Sequence, residues 1–150
     1  MVLSKACTYG ILASLYVAKK TANSRGYISI GQMSEELNIS FHFLTKILQQ
    51  LTSTGILASM KGPRGGVAFK GDPSKITILD VVVAIDGEKV FKECLLGLPD
   101  CGTERPCPVH EEWAGIRSEL YETFRGKTLA ETARSLDSKN LRFALPDWQR

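Results

Sequence analysis

Three of the chain's four cysteines and one of its two histidines fall within 17 residues. The stretch reads Cys94-Leu-Leu-Gly-Leu-Pro-Asp-Cys101-Gly-Thr-Glu-Arg-Pro-Cys107-Pro-Val-His110. Thiolates with one imidazole are soft donors that suit zinc or an iron–sulfur cluster. A structural zinc site normally pairs its ligands two to four residues apart. Here six and then five residues separate the cysteines, and only Cys107 and His110 have that tight spacing. Wide gaps on a loop wrap a larger object more naturally, which favours a cluster over a single ion. Zinc and unligated thiols, with Cys101 and Cys107 forming a regulatory disulfide, are the other two readings. The fourth cysteine, Cys7, reads as a small buried hydrophobe rather than a ligand.

Three prolines and two glycines make this stretch a loop, so flanking elements must position it. On its C-terminal side, Pro108 opens a helix whose Trp113, Ile116, Leu120 and Phe124, with Tyr121 beside them, form an apolar stripe. Large aromatics on a helix this near the end of the chain are expected to pair with a second subunit. Thr128 with Glu131 caps one more short helix to about Leu136, and the rest to Arg150 has no clear period and is expected to be partly disordered. On the N-terminal side, Thr77 with Asp80 caps a helix through about Asp86, its Ile78, Val82 and Ile85 facing inward, ended by Gly87.

The first half of the chain has a different chemistry. Ile11, Leu12, Leu15 and Tyr16 mark a first core helix. Tyr27-Ile28-Ser29 is extended, and Ser29 with Gln32 opens a helix over roughly Ile30–Leu37. After the Asn38-Ile39 turn, Ser40 is the N-cap of a helix to about Thr54, with Gly55 as its stop. Two short helices across such a turn form a helix-turn-helix pattern. At 100° per residue Leu44, Ile47, Leu48 and Leu51 share the core arc, while His42, Lys46, Gln49 and Ser53 lie opposite, with Thr45 and Gln50 on the flanks.

That polar face carries donors and no acids, as contacts to phosphates and base edges require. The next segment brackets Lys61-Gly-Pro-Arg64-Gly-Gly66 with two strand-like runs, a hairpin whose only long side chain near the tip is Arg64, suited to a narrow minor groove. Helix, turn, helix and basic-tipped hairpin make a winged helix. The expected DNA contacts are His42, Phe43, Thr45, Lys46, Gln49, Lys61 and Arg64.

Charge agrees with that division. The net +3 of the 150 residues hides nine Lys/Arg against three acids in residues 1–75, net +6, and ten against thirteen in residues 76–150, net −3. No acid occurs from Leu37 to Gly71. Such asymmetry points to a polyanion partner for one end. No thiol is paired with an activating base and a substrate cleft, which argues against an enzyme and a small-molecule substrate. The apolar run Ala6–Ala18 has no cleavage pattern and is shorter than the roughly 20 residues a bilayer span needs, so the chain is expected to be cytoplasmic, free of membrane, and reduced at its thiols.

Taken together, Leu3-Ser4-Lys5 with Tyr9, the Asn-Ile-Ser turn, the Lys-Gly-Pro-Arg-Gly-Gly wing and the Cys/Cys/Cys/His loop resemble, in order, the bacterial winged-helix transcriptional regulators of the IscR/NsrR/CymR family. The resemblance covers about residues 1–125. It implies a mainly α fold with a small β-hairpin wing and a long C-terminal dimerisation helix. It also implies a homodimer on an inverted-repeat operator in double-stranded DNA, acting as a repressor whose affinity follows cluster state. Cys94, Cys101 and Cys107 match the family's cluster cysteines, and His110 matches the fourth ligand of a [2Fe–2S] cluster in one branch. A [4Fe–4S] cluster is the alternative, since the first cysteine gap is one residue longer than in that branch, and an aerobically prepared sample can lack the cluster.

Thr8 stands where another branch often has an Asp ligand. Thr45 stands where the IscR-type branch has a Glu, so a different operator is implied. The expected partition is a DNA-binding domain over 1–90, a cluster loop over 91–110, a dimerisation helix over 111–126 and a terminal segment over 127–150.

Overall fold

The computed structural model describes residues 2–23 and 25–138. The expectation for residues 139–150 lies outside the described residues. Among the described residues seven helices and one hairpin follow in the order α1 (Lys5–Thr21), α2 (Ile30–Leu37), α3 (Phe41–Ser53), β1 (Leu57–Met60), β2 (Gly66–Phe69), α4 (Ile78–Asp86), α5 (Lys89–Lys92), α6 (His110–Arg125) and α7 (Leu129–Ser138).

Helix α1 is the centre of the fold, touching α2, α3, α4, α7 and β2. Its buried positions run nearly all the way round the helix, as an element packed on several sides requires. Leu15 and Tyr16 are buried as the periodicity predicts, whereas Ile11 and Leu12 are only partly covered. Gly10 sets how closely the helices approach. A Cβ there would lie 2.2 Å from Ile85 Cδ1 of α4 and 3.3 Å from Ile47 Cγ2 of α3. Ser4 caps α1 by accepting from the Cys7 amide at 3.0 Å. The Ser4 amide donates to the Asp86 carboxylate at 2.8 Å, and its hydroxyl donates to the same group, so the end of α4 is tied to the start of α1.

Leu44, Ile47, Leu48 and Leu51 of α3 are all buried, as their shared arc predicts, and each such side chain contributes about 1.5–3 kcal/mol. The turn before α3 is made by Asn38 in the left-handed region (φ 61°, ψ 43°), which Asn tolerates better than most residues. Two expected caps differ from the sequence reading. Ser29 accepts from the Gln32 amide, but the Gln32 side chain reaches Glu36 instead of completing the box, and the Ser40 side chain makes no cap bond.

Strands β1 and β2 pair antiparallel, Leu57 opposite Phe69 and Met60 opposite Gly66. Ile28 adds a third edge through a two-way bridge with Val67, at 2.7 and 3.0 Å. That bridge needs Gly66, whose φ is +147° and whose Cβ would fall 1.9 Å from the Ile28 carbonyl oxygen.

Helix α4 starts with the complete Thr77/Asp80 capping box and ends at Gly87. Its buried residues are Leu79, Val81 and Val82; Ile78 and Ile85 are only partly buried. The four-residue α5 has no sequence counterpart, because two adjacent apolar residues, Val90 and Phe91, give no period. Pro108 precedes α6 rather than opening it, since Val109 is the N-cap. Helix α7 follows Thr128, which caps the Glu131 amide at 3.1 Å, and returns to pack on α1 with Leu129 and Ala133 buried. Among the described residues no helix is long and apolar enough to cross a membrane.

Candidate functional site

Two surfaces carry the chemistry, and separate stretches of the sequence supply them. On the first, His42, Lys46 and Gln49 are exposed on α3, and Lys61 and Arg64 are exposed in the hairpin loop. Lys46, Lys61 and Arg64 make no ion pair among the described residues, so their charge is available to a partner. The loop around Arg64 is shaped by glycine. A Cβ on Gly65 would meet the Met60 carbonyl oxygen at 2.2 Å, and Gly62 has φ +109°.

Thr45 is half-buried and its hydroxyl donates to the Phe41 carbonyl at 2.7 Å, four residues back. Phe43 corrects the expected DNA-reading set. It sits four residues before Ile47, so it turns toward the core and meets the Tyr9 ring edge-on at 5.5 Å. Phe41, which sequence reasoning passed over, is the aromatic left open, with 49% of its surface exposed.

The second surface gathers the cysteine loop. The sulfurs of Cys94, Cys101 and Cys107 all lie within 4.8 Å of one another. With the His110 ring they fall into two pairs. Cys94 Sγ is 3.5 Å from Cys107 Sγ, and Cys101 Sγ is 3.6 Å from His110 Nδ1. Positive φ at Gly97 (68°) and Asp100 (55°) turns the chain so that residues far apart in sequence converge. The amides of Leu98 and then Leu96 point at the Cys94 sulfur, and chiefly for that reason its pKa falls to about 7. Cys107 is buried, and burial pushes its thiol the other way. His110 opens α6, and its amide donates to the Cys107 carbonyl at 3.0 Å, so these two donors share one rigid turn.

A link from this loop to α6 was not legible in the sequence. Trp113 Nε1 donates to the Glu93 carbonyl at 2.9 Å and Arg117 donates to the same oxygen at 3.2 Å. Glu93 directly precedes Cys94, so the loop is fastened to two turns of α6. Phe91 of α5 packs edge-on with Tyr121 at 5.5 Å and Phe124 at 6.1 Å. The apolar stripe of α6 is therefore divided. Trp113, Leu120 and Phe124 are partly covered within the chain, whereas Ile116 (49%) and Tyr121 (39%) remain exposed.

Cys7 lies apart from this site. It is fully buried, and burial first, then the Asp86 carboxylate, pushes its pKa up to about 12. At pH 8 it is therefore a protonated thiol in the native protein. Iodoacetamide is expected to leave Cys7 unmodified while labelling Cys94, with Cys7 labelled only after denaturant is added; peptide mass spectrometry reads the difference.

The donor set suits the groups named above. A tetrahedral centre with sulfur bonds of about 2.3 Å spaces its ligands by about 3.8 Å, close to both observed pairs.

A family model described as "Rrf2: Iron-dependent Transcriptional regulator" matches residues 3–135. The chain is 29% identical over 143 residues to a protein of Aquifex aeolicus whose name places it among HTH-type transcriptional regulators, covering 94% of this chain and 96% of that one. It is 29% identical over 131 residues to the HTH-type transcriptional regulator IscR of Vibrio vulnificus, covering 87% of this chain and 76% of that one. Among solved structures it superimposes on CymR, the global cysteine regulator of B. subtilis, with a TM-score of 0.74 at 26% identity, covering 89% of this chain and 96% of that one.

Proposed function

The chain belongs to the Rrf2 family of transcriptional regulators, DNA-binding proteins rather than enzymes, and from that premise we propose a homodimeric repressor whose operator affinity is tuned at the Cys94/Cys101/Cys107/His110 site. The observation that carries the proposal is the convergence of three thiols and an imidazole beside the helix that leads away from a basic winged head. The occupant proposed is an iron–sulfur cluster, [2Fe–2S] in preference to [4Fe–4S], held by those four side chains in the cytoplasm. When bound, such a group supplies chemistry that responds to oxidants, nitric oxide or cluster supply.

The rest is done by this chain. With its donors engaged, the 94–110 loop keeps one shape, and the Glu93 carbonyl keeps its two donors on α6. Release of the donors frees the loop to shift and with it the angle at which α6 carries each reading head. In a dimer that angle sets which half-site spacing the two heads reach.

One observation favours a second reading. Sulfurs all within 4.8 Å of one another are as close as ligands of one tetrahedral ion, whereas two irons hold their ligand pairs further apart. A single zinc ion would serve the same mechanical role without colour. Anaerobic purification with an absorption spectrum and assays for iron, sulfide and zinc tests both. Iron with equimolar sulfide and visible absorbance supports the cluster, one zinc per chain supports the second reading, and metal-free protein as isolated contradicts both.

Two surfaces of the proposal are separately testable. Ile116→Glu places a charge at the centre of the exposed α6 stripe. It is expected to convert a dimer to a monomer in sedimentation velocity and to weaken operator binding by more than about ten-fold, because the second head loses its tether. Arg64→Ala is expected to weaken binding to operator and unrelated duplex alike, about ten-fold, and to reduce the slope of log affinity against log salt by about one per head.

A further inference from the structure

Phe41 and Met60 are large apolar side chains left 49% and 44% exposed on the most basic part of the protein. A groove of about 530 Å3 between α3 and the hairpin is lined by both, together with Thr45, Gln49 and Gly65. Phe41 needs explaining because the core does not use it: Leu44, Ile47, Leu48 and Leu51 fill that role, and Phe43 supplies the ring that packs on Tyr9. The His42 ring instead stands edge-on to Phe41 at 5.9 Å and 80°. Thr45 adds a second apolar group. Its hydroxyl proton is engaged by the Phe41 carbonyl at 2.7 Å, which leaves the methyl as the apolar group it can offer a partner.

What would cover such a groove is constrained by its rim. Lys61 lines it, and Lys46 and Arg64 are exposed on α3 and in the hairpin loop, the two elements that form it; none of the three has an ion pair among the described residues, and the sequence from Leu37 to Gly71 holds no acid. A cationic rim around an apolar floor fits a polyanion that carries apolar groups. Duplex DNA has one such group in its major groove, the 5-methyl of thymine, and Phe and Thr methyls are side-chain groups that contact it. We propose that Phe41 and Thr45 read thymine methyl groups, so that this protein's operator is specified partly by apolar contact at the start of α3. The proposal rests on the reading of the winged head as a duplex-DNA binder, and it adds a specificity determinant to that reading.

The test begins with selection of a preferred duplex from a randomised library. Each thymine of the selected duplex is then replaced by uracil, which removes the methyl and nothing else. One buried carbon contributes about 0.8 kcal/mol, which is about four-fold in affinity. The expected result is a loss of that size at one or two thymines per half-site, and about fifteen-fold when both half-sites are changed. Phe41→Ala should lower affinity for the thymine duplex by a similar factor and abolish the distinction between thymine and uracil, whereas Phe41→Leu should keep part of it. Equal binding of thymine and uracil duplexes at every position overturns the proposal while leaving the DNA-binding reading intact. Failure to bind any duplex in a salt-dependent way overturns both.

Discussion

Cys101→Ala is expected to yield a folded protein that retains less than about one tenth of the iron or zinc of the parent and lacks any visible absorbance. Cys101 is half-exposed in a loop, outside the buried cluster that α1 organises, so its removal opens no cavity in the core. It is, however, the sulfur that faces His110 Nδ1 at 3.6 Å, and its loss leaves one of the two donor pairs with a single member. Altering a group that merely supports a ligand costs about 10–100-fold in metal affinity, so loss of a ligand should cost at least as much. Metal analysis and circular dichroism on the same sample separate loss of metal from loss of fold. His110→Ala serves as the companion variant, because it breaks the same pair from the α6 side.

Gly66→Ala should lower the melting temperature by about 10 °C and remove most DNA binding. A methyl at this position would sit 1.9 Å from the Ile28 carbonyl oxygen, on backbone that cannot swing aside as a side-chain tip can. The positive φ of 147° adds strain for any residue with a Cβ. Relief requires breaking the two-way bridge between Ile28 and Val67, which would leave Val67, buried to 1% exposure, poorly packed. Strain and two lost hydrogen bonds together cost about 3–5 kcal/mol, and each kcal/mol corresponds to about 2–4 °C in a chain of this size. Gly71→Ala provides the control. Nothing lies within 4 Å of a Cβ at Gly71, and its melting temperature should change by less than about 2 °C.

The parts of this fold that were legible in the sequence are those in which a short-range rule and the tertiary structure agree. The core face of α3 followed from four apolar residues at helical spacing, and all four are buried. The hairpin followed from a cluster of glycines and a proline, and the Thr77/Asp80 box formed as written because both partners lie within one turn. Phe43 was misassigned although the same rule places it four residues before Ile47, on the core side. Its polar neighbours His42 and Thr45 obscured that, and Phe41 was overlooked for the same reason.

Other features have no local signature. The pairing of Cys94 with Cys107 and of Cys101 with His110 is set by two positive-φ turns in a loop, where no period exists to extrapolate. The bonds from Trp113 and Arg117 to the Glu93 carbonyl span 20 and 24 residues, and the return of α7 to α1 joins the first described helix to the last. Each depends on helix packing that only the assembled core defines. The division of the α6 stripe belongs to the same class, since it follows from Phe91 on a helix of four residues.

Coupling between occupancy of a thiol–imidazole site and the affinity of a DNA-reading head is the core of the proposed mechanism. Its most direct test is a titration of a selected operator duplex with protein purified anaerobically, repeated after a chelator has stripped the metal, each at two salt concentrations. Salt-dependent binding is expected in both forms, with metal or cluster present only in the first, and operator affinities should differ by at least ten-fold, about 1.4 kcal/mol, while affinity for unrelated duplex stays the same. Equal operator affinity and equal salt dependence before and after stripping would contradict it.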